Sequence, residues 1–359
     1  MRRDLFNLEH EAYRKSVRDF LEKEVVPHYP DRIIPRELFT RAAELGAFAA
    51  VPEEYGGAGD RDFRYSVVLA EEAVRAGVVP ATLGISVQAD VCLPYFLELC
   101  NPEQKARWLP GIAAGETVSA FAMTEPGAGS DLAAIRTRAV RAGDGYVVDG
   151  AKTSITNGIT ADLLIVVVRT GVHPHRGLSL LVVERGTPGL GRGRTRDTGG
   201  VPAQDTAELC FAGARVPAAN LLGAEGEGYC ALTRNLPQER LSLAVSAVAQ
   251  AAAAIDWTVA HVRQRTAFGA PLGDLQHVRF RLAELVTEVE IAQQYVDRCV
   301  QEFDAGWLTP VDAAKARWWC TELQRRVVDA CVQLHGGYGG ATEVMKEIIG
   351  RSLELDKVS

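Results

Sequence analysis

Three stretches in the last third of the chain repeat apolar residues at alternating steps of three and four. Leu241, Ala244, Val248, Ala251, Ile255 and Thr258 form the first. Leu282, Leu285, Val289, Ala292, Val296 and Cys299 form the second, and Ala313, Ala316, Cys320, Leu323, Val327, Ala330 and Leu334 the third. At 3.6 residues per turn this spacing draws one narrow apolar seam along each of three long helices, and seams of that kind are buried by packing the helices nearly antiparallel as a bundle. The alanine-rich run at 247–254 also lets another helix approach closely, so self-association is expected.

The helical period also governs residues 7–120, with breaks at Val26-Pro27, Val51-Pro52, 54–59 and Asn101-Pro102 that mark turns between helices. Between 121 and 222 the pattern changes to short β-branched or alternating runs at 146–149, 163–168, 178–183 and 207–211, punctuated by glycines. The expected fold class is therefore mainly α with a central β domain. It comprises an N-terminal helical domain (1–120), a small β-barrel or sandwich (121–222) and a C-terminal helix bundle (223–359).

A chain of 359 residues, 47% hydrophobic and 24% charged, has the material for a large core. Its formal charge of -7 gives no basic field for a polyanion, which argues against nucleic acid as a partner. Seven dispersed cysteines, with no CxxC among them, suit buried thiols in a reducing compartment and argue against a structural zinc. The first residues lack the apolar core of a secretory signal, and the apolar run at 163–168 is too short for a bilayer. A cytoplasmic protein without a membrane or metal partner is expected.

Residues 121–132 (Phe-Ala-Met-Thr-Glu-Pro-Gly-Ala-Gly-Ser-Asp-Leu) join a small-residue turn to hydroxyls and backbone donors. Pro126 fixes one φ angle, while Gly127 and Gly129 permit positive φ and close approach, so Thr124 and Ser130 can aim at one planar ligand. On spacing alone the segment is equally an ordinary turn.

In sequence the loop resembles the flavin-binding loop of the acyl-CoA dehydrogenase family. The resemblance extends over nearly the whole chain through 51–57, 150–158, 204–211, 215–228, 236–241, 265–276 and 333–337. It implies FAD as cofactor and oxidation of an acyl thioester, on CoA or an acyl carrier protein, to its trans-2-enoyl product. A base would take the α-proton as a hydride leaves the β-carbon. It further implies electron-transfer flavoprotein as the electron acceptor and a homotetramer or homodimer. Many relatives carry the base before a Gly-Thr near the carboxyl end, where this chain has Gly339. Members resembling the long-chain and isovaleryl enzymes carry it on a helix, at the position of Glu239, which is the expected base. On residue type alone Glu239 is a solvated glutamate in the first turn of a helix.

The same resemblance places Ser130 and Arg240 on the substrate path. It assigns Phe121, Met123, Thr124, Gly129, Ser130, Ser154 and Thr156 to the cofactor, with Ser154 where relatives usually have Trp or Phe. Arg265, Phe268, Gln276, Gln333, Gly336 and Gly337 would serve the pyrophosphate and adenosine side, across a subunit boundary. An arginine there supplies a charge-assisted fork to phosphate. After Gly339 the chain lacks about 20 residues that relatives have, a helix on the order of 30 Å, and the usual Gly-Thr is Gly340-Ala341. Besides a working dehydrogenase, this departure leaves open a flavin oxidase or monooxygenase on the same scaffold, or a flavin-poor inactive paralogue.

Overall fold

The computed structural model describes residues 3–31, 35–195, 205–267 and 269–336, together with 346, 349 and 352. Phe268, Gly337 and the altered junction at 338–341 lie outside the described residues. Six helices come first: α1 (Leu8–Phe20), α2 (Glu37–Glu44), α3 (Arg64–Arg75), α4 (Val79–Ser86), α5 (Leu93–Leu99) and α6 (Pro102–Ala113). Asn7 and Asn101 start α1 and α6 with reciprocal capping boxes, each side chain accepting from the backbone amide three residues on. Between α4 and α5 the chain takes a wider π-turn, Val87–Cys92, which re-aims Asp90 and Cys92 relative to a regular helix.

Eight strands follow: β1 (Ser119–Ala122), β2 (Arg138–Ala142), β3 (Gly145–Thr156), β4 (Leu163–Arg169), β5 (Leu178–Glu184), β6 (Leu190–Thr195), β7 (Thr206–Pro217) and β8 (Leu221–Leu222). They form one mixed sheet in the order β6-β7-β3-β2-β4-β5-β8, with β1 parallel to β4. A single register pair, Arg138 with Arg169, joins its two halves, and the halves face one another where β1 meets β3 and β5 meets β7. The strands expected from sequence are β3, β4, β5 and β7. The runs at β4 and β5 lack alternation because both faces are buried, with no exposed residue from Leu163 to Val168 or Leu178 to Val183.

The three seams become α7 (Gly228–Gln264), α8 (Gln276–Asp304) and α9 (Pro310–Leu334), with the small hairpin β9 (Thr266–Ala267) and β10 (Ala270–Pro271) between the first two. Every seam residue of α7 from Leu241 to Thr258 is buried, as are those of α8 from Leu285 to Cys299 and of α9 from Ala313 to Val327. Leu282 and Ala330 are half-buried. By length and composition α7 is apolar enough to cross a membrane, and its seam residues from Leu241 to Ile255 are those that pack the bundle core. It begins at Gly228, so Glu239 sits well inside the helix rather than in its first turn.

Candidate active site

The loop after β1 is held from both ends. Register with β4 sets Phe121 opposite Ile165, and the Thr153 amide of β3 donates to the Thr124 carbonyl at 2.9 Å. Glu125 and Ala128 close the turn with reciprocal backbone bonds of 2.9 and 3.2 Å. Neither Gly127 nor Gly129 has a positive φ, contrary to expectation. A Cβ added at either would meet no protein atom within 4 Å, so what glycine provides here is an open face to approach rather than a backbone angle.

Beneath the loop lies an ion pair that sequence reading missed. The Lys152 ammonium donates to the Glu125 carboxylate at 2.8 Å and to the Met123 carbonyl at 2.9 Å, while Glu125 accepts the Arg136 and Thr137 amides at 2.8 and 2.9 Å. Burial pushes the Lys152 ammonium down to about 8, opposed by Glu125. For Glu125 burial acts upward but is outweighed by Lys152, Thr137 and the Arg136 amide, which hold it below the usual carboxylate range. Only strand placement brings Lys152 under a loop 29 residues away, so the sequence carried no signal for the pair.

On β3 the register with β7 slips between Lys152 and Ile155, a bulge in which Ser154 takes φ 58° and points to solvent. Thr156 is half-buried at the strand's end. Phe121, Met123, Thr124, Gly129, Ser130, Ser154 and Thr156 thus gather around one loop and one strand, as expected. The open glycine face, the accessible Ser130 and Ser154 hydroxyls and the buried Thr153 hydroxyl without a protein partner suit a planar, polar cofactor.

Tyr95 of α5 connects this surface to the base. Its ring stacks on Phe121, centroids 4.9 Å apart at 23°, and burial together with the Glu239 charge raises its phenol. Burial likewise pushes the Cys92 thiol up to about 12, with the Glu239 charge adding to it. Glu239 is half-buried, and burial raises its carboxyl above the usual value while the cations Arg317 of α9 and Arg240 pull the other way. Pro237 removes one backbone rung two residues before it. Arg240 is half-buried beside the base. Tyr95 and Arg317 were not foreseen, because Tyr95 reads as one more apolar residue and Arg317 as a surface cation until α9 is docked.

Arg265, Gln276, Gln333 and Gly336 fall elsewhere, at the far end of the bundle where α7 ends, α8 begins and α9 ends. Val262, Val278 and Leu334 form a separate small core there, and the His261 and His335 rings stack at 4.2 Å. Arg265 and Gln276 are exposed. Gly336 has φ 62° just beyond α9, the left-handed position that glycine favours past a helix. Glu239 and Arg265 are separated by about 39 Å along one continuous helix.

A helical domain, a β domain carrying an open hydroxyl-lined loop, and a helix bundle bearing a partly desolvated carboxylate define a flavin-dependent oxidoreductase class. Family models describe the same three parts: the acyl-CoA dehydrogenase N-terminal domain matches residues 7–116, the middle domain 120–214 and the C-terminal domain 226–349. The chain is similar to the mitochondrial long-chain specific acyl-CoA dehydrogenase of Sus scrofa, 38% identical over 384 residues, covering 99% of this chain and 89% of the relative. That match is longer than the chain itself, so the relative carries residues this chain lacks. Among solved structures it is similar to an acyl-CoA dehydrogenase from Geobacillus kaustophilus, with TM-score 0.90, 45% identity, and 98% and 99% of the two chains covered. It also resembles a glutaryl-CoA dehydrogenase from Mycobacterium smegmatis in complex with FADH2, with TM-score 0.84, 27% identity, and 93% and 86% covered. The protein belongs to the acyl-CoA dehydrogenase family, whose members are FAD-dependent enzymes.

Proposed function

We propose that the protein dehydrogenates an acyl-CoA thioester at its α,β carbons with Glu239 as base, placing it with members whose base lies on a helix. The observation that carries this reading is that Tyr95, whose ring stacks on Phe121 of the cofactor loop, also feels the charge of Glu239, a partly desolvated carboxylate. Thr124, Ser130 and Thr156 would hold the isoalloxazine side of FAD. When bound, FAD supplies the hydride acceptor for the reaction. Glu239 Oε takes the α-proton, and its raised affinity for that proton brings it nearer the acidity of the thioester α-carbon. Tyr95 and Cys92 exclude water from the carboxylate, and Arg240 with Arg317 limits how far burial raises it.

Electron-transfer flavoprotein is the proposed acceptor of the electrons, and the seven free thiols accord with a cytoplasmic setting. The separation along α7 supports a shared site, because one dinucleotide cannot place its ring at Glu239 and its pyrophosphate at Arg265 of the same chain. Arg265, Gln276, Gln333 and Gly336 would then hold the FAD of a neighbouring copy in a homodimer or homotetramer. Trp257, Phe280, Ile291 and Trp318, exposed on the bundle helices, supply apolar surface for that association.

The test is anaerobic mixing of FAD-reconstituted protein with a panel of acyl-CoAs. Flavin bleaching in the parent and its loss in Glu239→Gln are expected; a parent that bleaches with none, or a variant that bleaches as fast, would overturn the assignment. The exposed Ser154 in place of an aromatic favours one second reading, an oxidase, which stoichiometric hydrogen peroxide in air would identify.

A further inference from the structure

The π-turn Val87–Cys92 lies between the cofactor strand β1 and the base helix α7, and it packs against both. Its wider winding leaves Gln88 and Asp90, two residues apart, aimed at different neighbours. The Gln88 side chain is fully buried and grips the start of β1: its Oε1 accepts the Ser119 amide at 3.0 Å, and its Nε2 donates to the Thr117 carbonyl at 3.3 Å. Asp90 grips helices instead. Its carboxylate accepts Ser66 Oγ of α3 at 2.7 Å and Ser242 Oγ of α7 at 2.6 Å. Ser242 follows Glu239 by three residues, one turn along the same face of α7.

Plain packing does not account for Asp90. It is buried, and among the described residues its partners are the two serine hydroxyls, with no cation beside it. A buried carboxylate offset only by hydroxyls costs stability that an apolar side chain of the same size would not. What the carboxylate adds is direction, since its two oxygens bond two different helices and hydrogen bonds constrain angle as well as distance. The same turn ends at Cys92, which has no exposed surface and feels the charge of Glu239, and α5 continues from there to Tyr95 stacked on Phe121. One short element thus holds the cofactor strand through Gln88 and the base helix through Asp90.

We infer that Gln88 and Asp90 are positioning residues that together set the separation between the cofactor loop and Glu239, with the Asp90–Ser242 bond fixing the base on its side of that gap. The inference rests on the reading of Glu239 as the base. Proton and hydride transfer demand close geometry, and a displacement of about 1 Å can cost on the order of 10²-fold in rate. On the β1 side Gln88 bonds backbone at two points. On the α7 side the hold is the Ser242 hydroxyl, which one substitution can remove without touching the turn or Glu239. Ser66 supplies the control: it bonds the other carboxylate oxygen from α3, so removing it takes a bond from the same carboxylate while α7 keeps its own.

The experiment compares the FAD-bound parent with Ser242→Ala and Ser66→Ala. Each substitution removes one hydroxyl from the same carboxylate, so the two urea midpoints should fall by similar amounts. Flavin bleaching is then timed at saturating concentrations of whichever straight-chain acyl-CoA bleaches the parent fastest. Its rate should fall about tenfold or more in Ser242→Ala and by less than about twofold in Ser66→Ala, with the half-saturating concentration little changed in both. A second readout needs no turnover: alkylation of Cys92 by iodoacetamide, followed by peptide mass spectrometry, should speed up severalfold in Ser242→Ala alone. Equal rate losses in the two variants, or no loss in either, would overturn the inference and leave Asp90 a packing device. A parent that bleaches with no thioester sinks the dehydrogenase reading instead. Cys92 labelling then decides the placement of α7, and equal labelling in the two variants overturns the inference.

Discussion

Lys152 places its ammonium 2.8 Å from the Glu125 carboxylate with neither side chain appreciably exposed, directly behind the loop that presents Thr124 and Ser130. The two residues sit on different elements, one on β3 and one in the loop, so the pair acts as a strut that sets the loop's distance from the strand. The same ammonium also bonds the Met123 carbonyl, which ties the strut to the end of β1.

Removing one member of a buried pair leaves the other charge without compensation, at a cost of about 3–5 kcal/mol. Lys152→Met is therefore expected to lower the melting temperature and to release FAD. The pair also predicts a pH dependence. The positive charge on Lys152 is lost as pH rises through about 8, leaving a neutral amine that still donates but no longer compensates the Glu125 carboxylate, so FAD retention should decline above that pH in the parent. Flavin fluorescence in the filtrate, followed from pH 6 to 10, checks this; retention that is flat through pH 10 would show that the strut does not hold the cofactor loop.

The strut marks the limit of what sequence reading could reach. The bundle was legible because each seam residue depends only on its own helix, and burial of Leu241 through Thr258 follows from spacing alone. The cofactor loop was legible as a motif, but not its backbone: Gly127 and Gly129 keep ordinary φ angles, while the left-handed residue is Ser154, on a bulge set by β7. Glu239 was legible through resemblance. Its surroundings were not, since Tyr95, Cys92 and Arg317 reach it from elements brought together only by packing.

Glu239 itself should cost stability at neutral pH. Burial raises its folded-state pKa above the unfolded value of 4.5, so the stability it contributes is present below that value and is lost as pH rises through the folded pKa. Glu239→Gln keeps the shape without the charge. The variant should melt higher than the parent at pH 8, and the difference should shrink toward pH 4. A variant that melts lower than the parent at pH 8 would show that the carboxylate is held by favourable partners instead.

Arg317 should tune the base without touching substrate. Its cation is the larger of the two that oppose burial at Glu239, so Arg317→Met leaves burial less opposed and raises the carboxyl further. A base works only once deprotonated, so the acid limb of the kcat/KM profile for flavin reduction should move to higher pH, while the plateau at high pH changes less. A uniform fall in rate with an unmoved limb would assign Arg317 a structural role only.

Asn157 should anchor the end of the cofactor strand to the helical domain. Its Nδ2 donates to the Gly84 carbonyl at the end of α4 and to the Ser119 carbonyl of β1, both at 3.0 Å, and its backbone holds φ 60°. The fit is close enough that a Cβ at Gly84 would fall 2.4 Å from Asn157 Oδ1. Asn157→Ala loses two buried bonds and places a Cβ residue in the left-handed region without a side-chain partner, for a destabilisation of about 3 kcal/mol. Asn157→Gly loses the same bonds but not the backbone fit, and should recover about 1 kcal/mol of that loss. Denaturant midpoints of the two variants check both terms; equal midpoints would mean that φ 60° carries no strain at this position and that the two hydrogen bonds account for the whole effect.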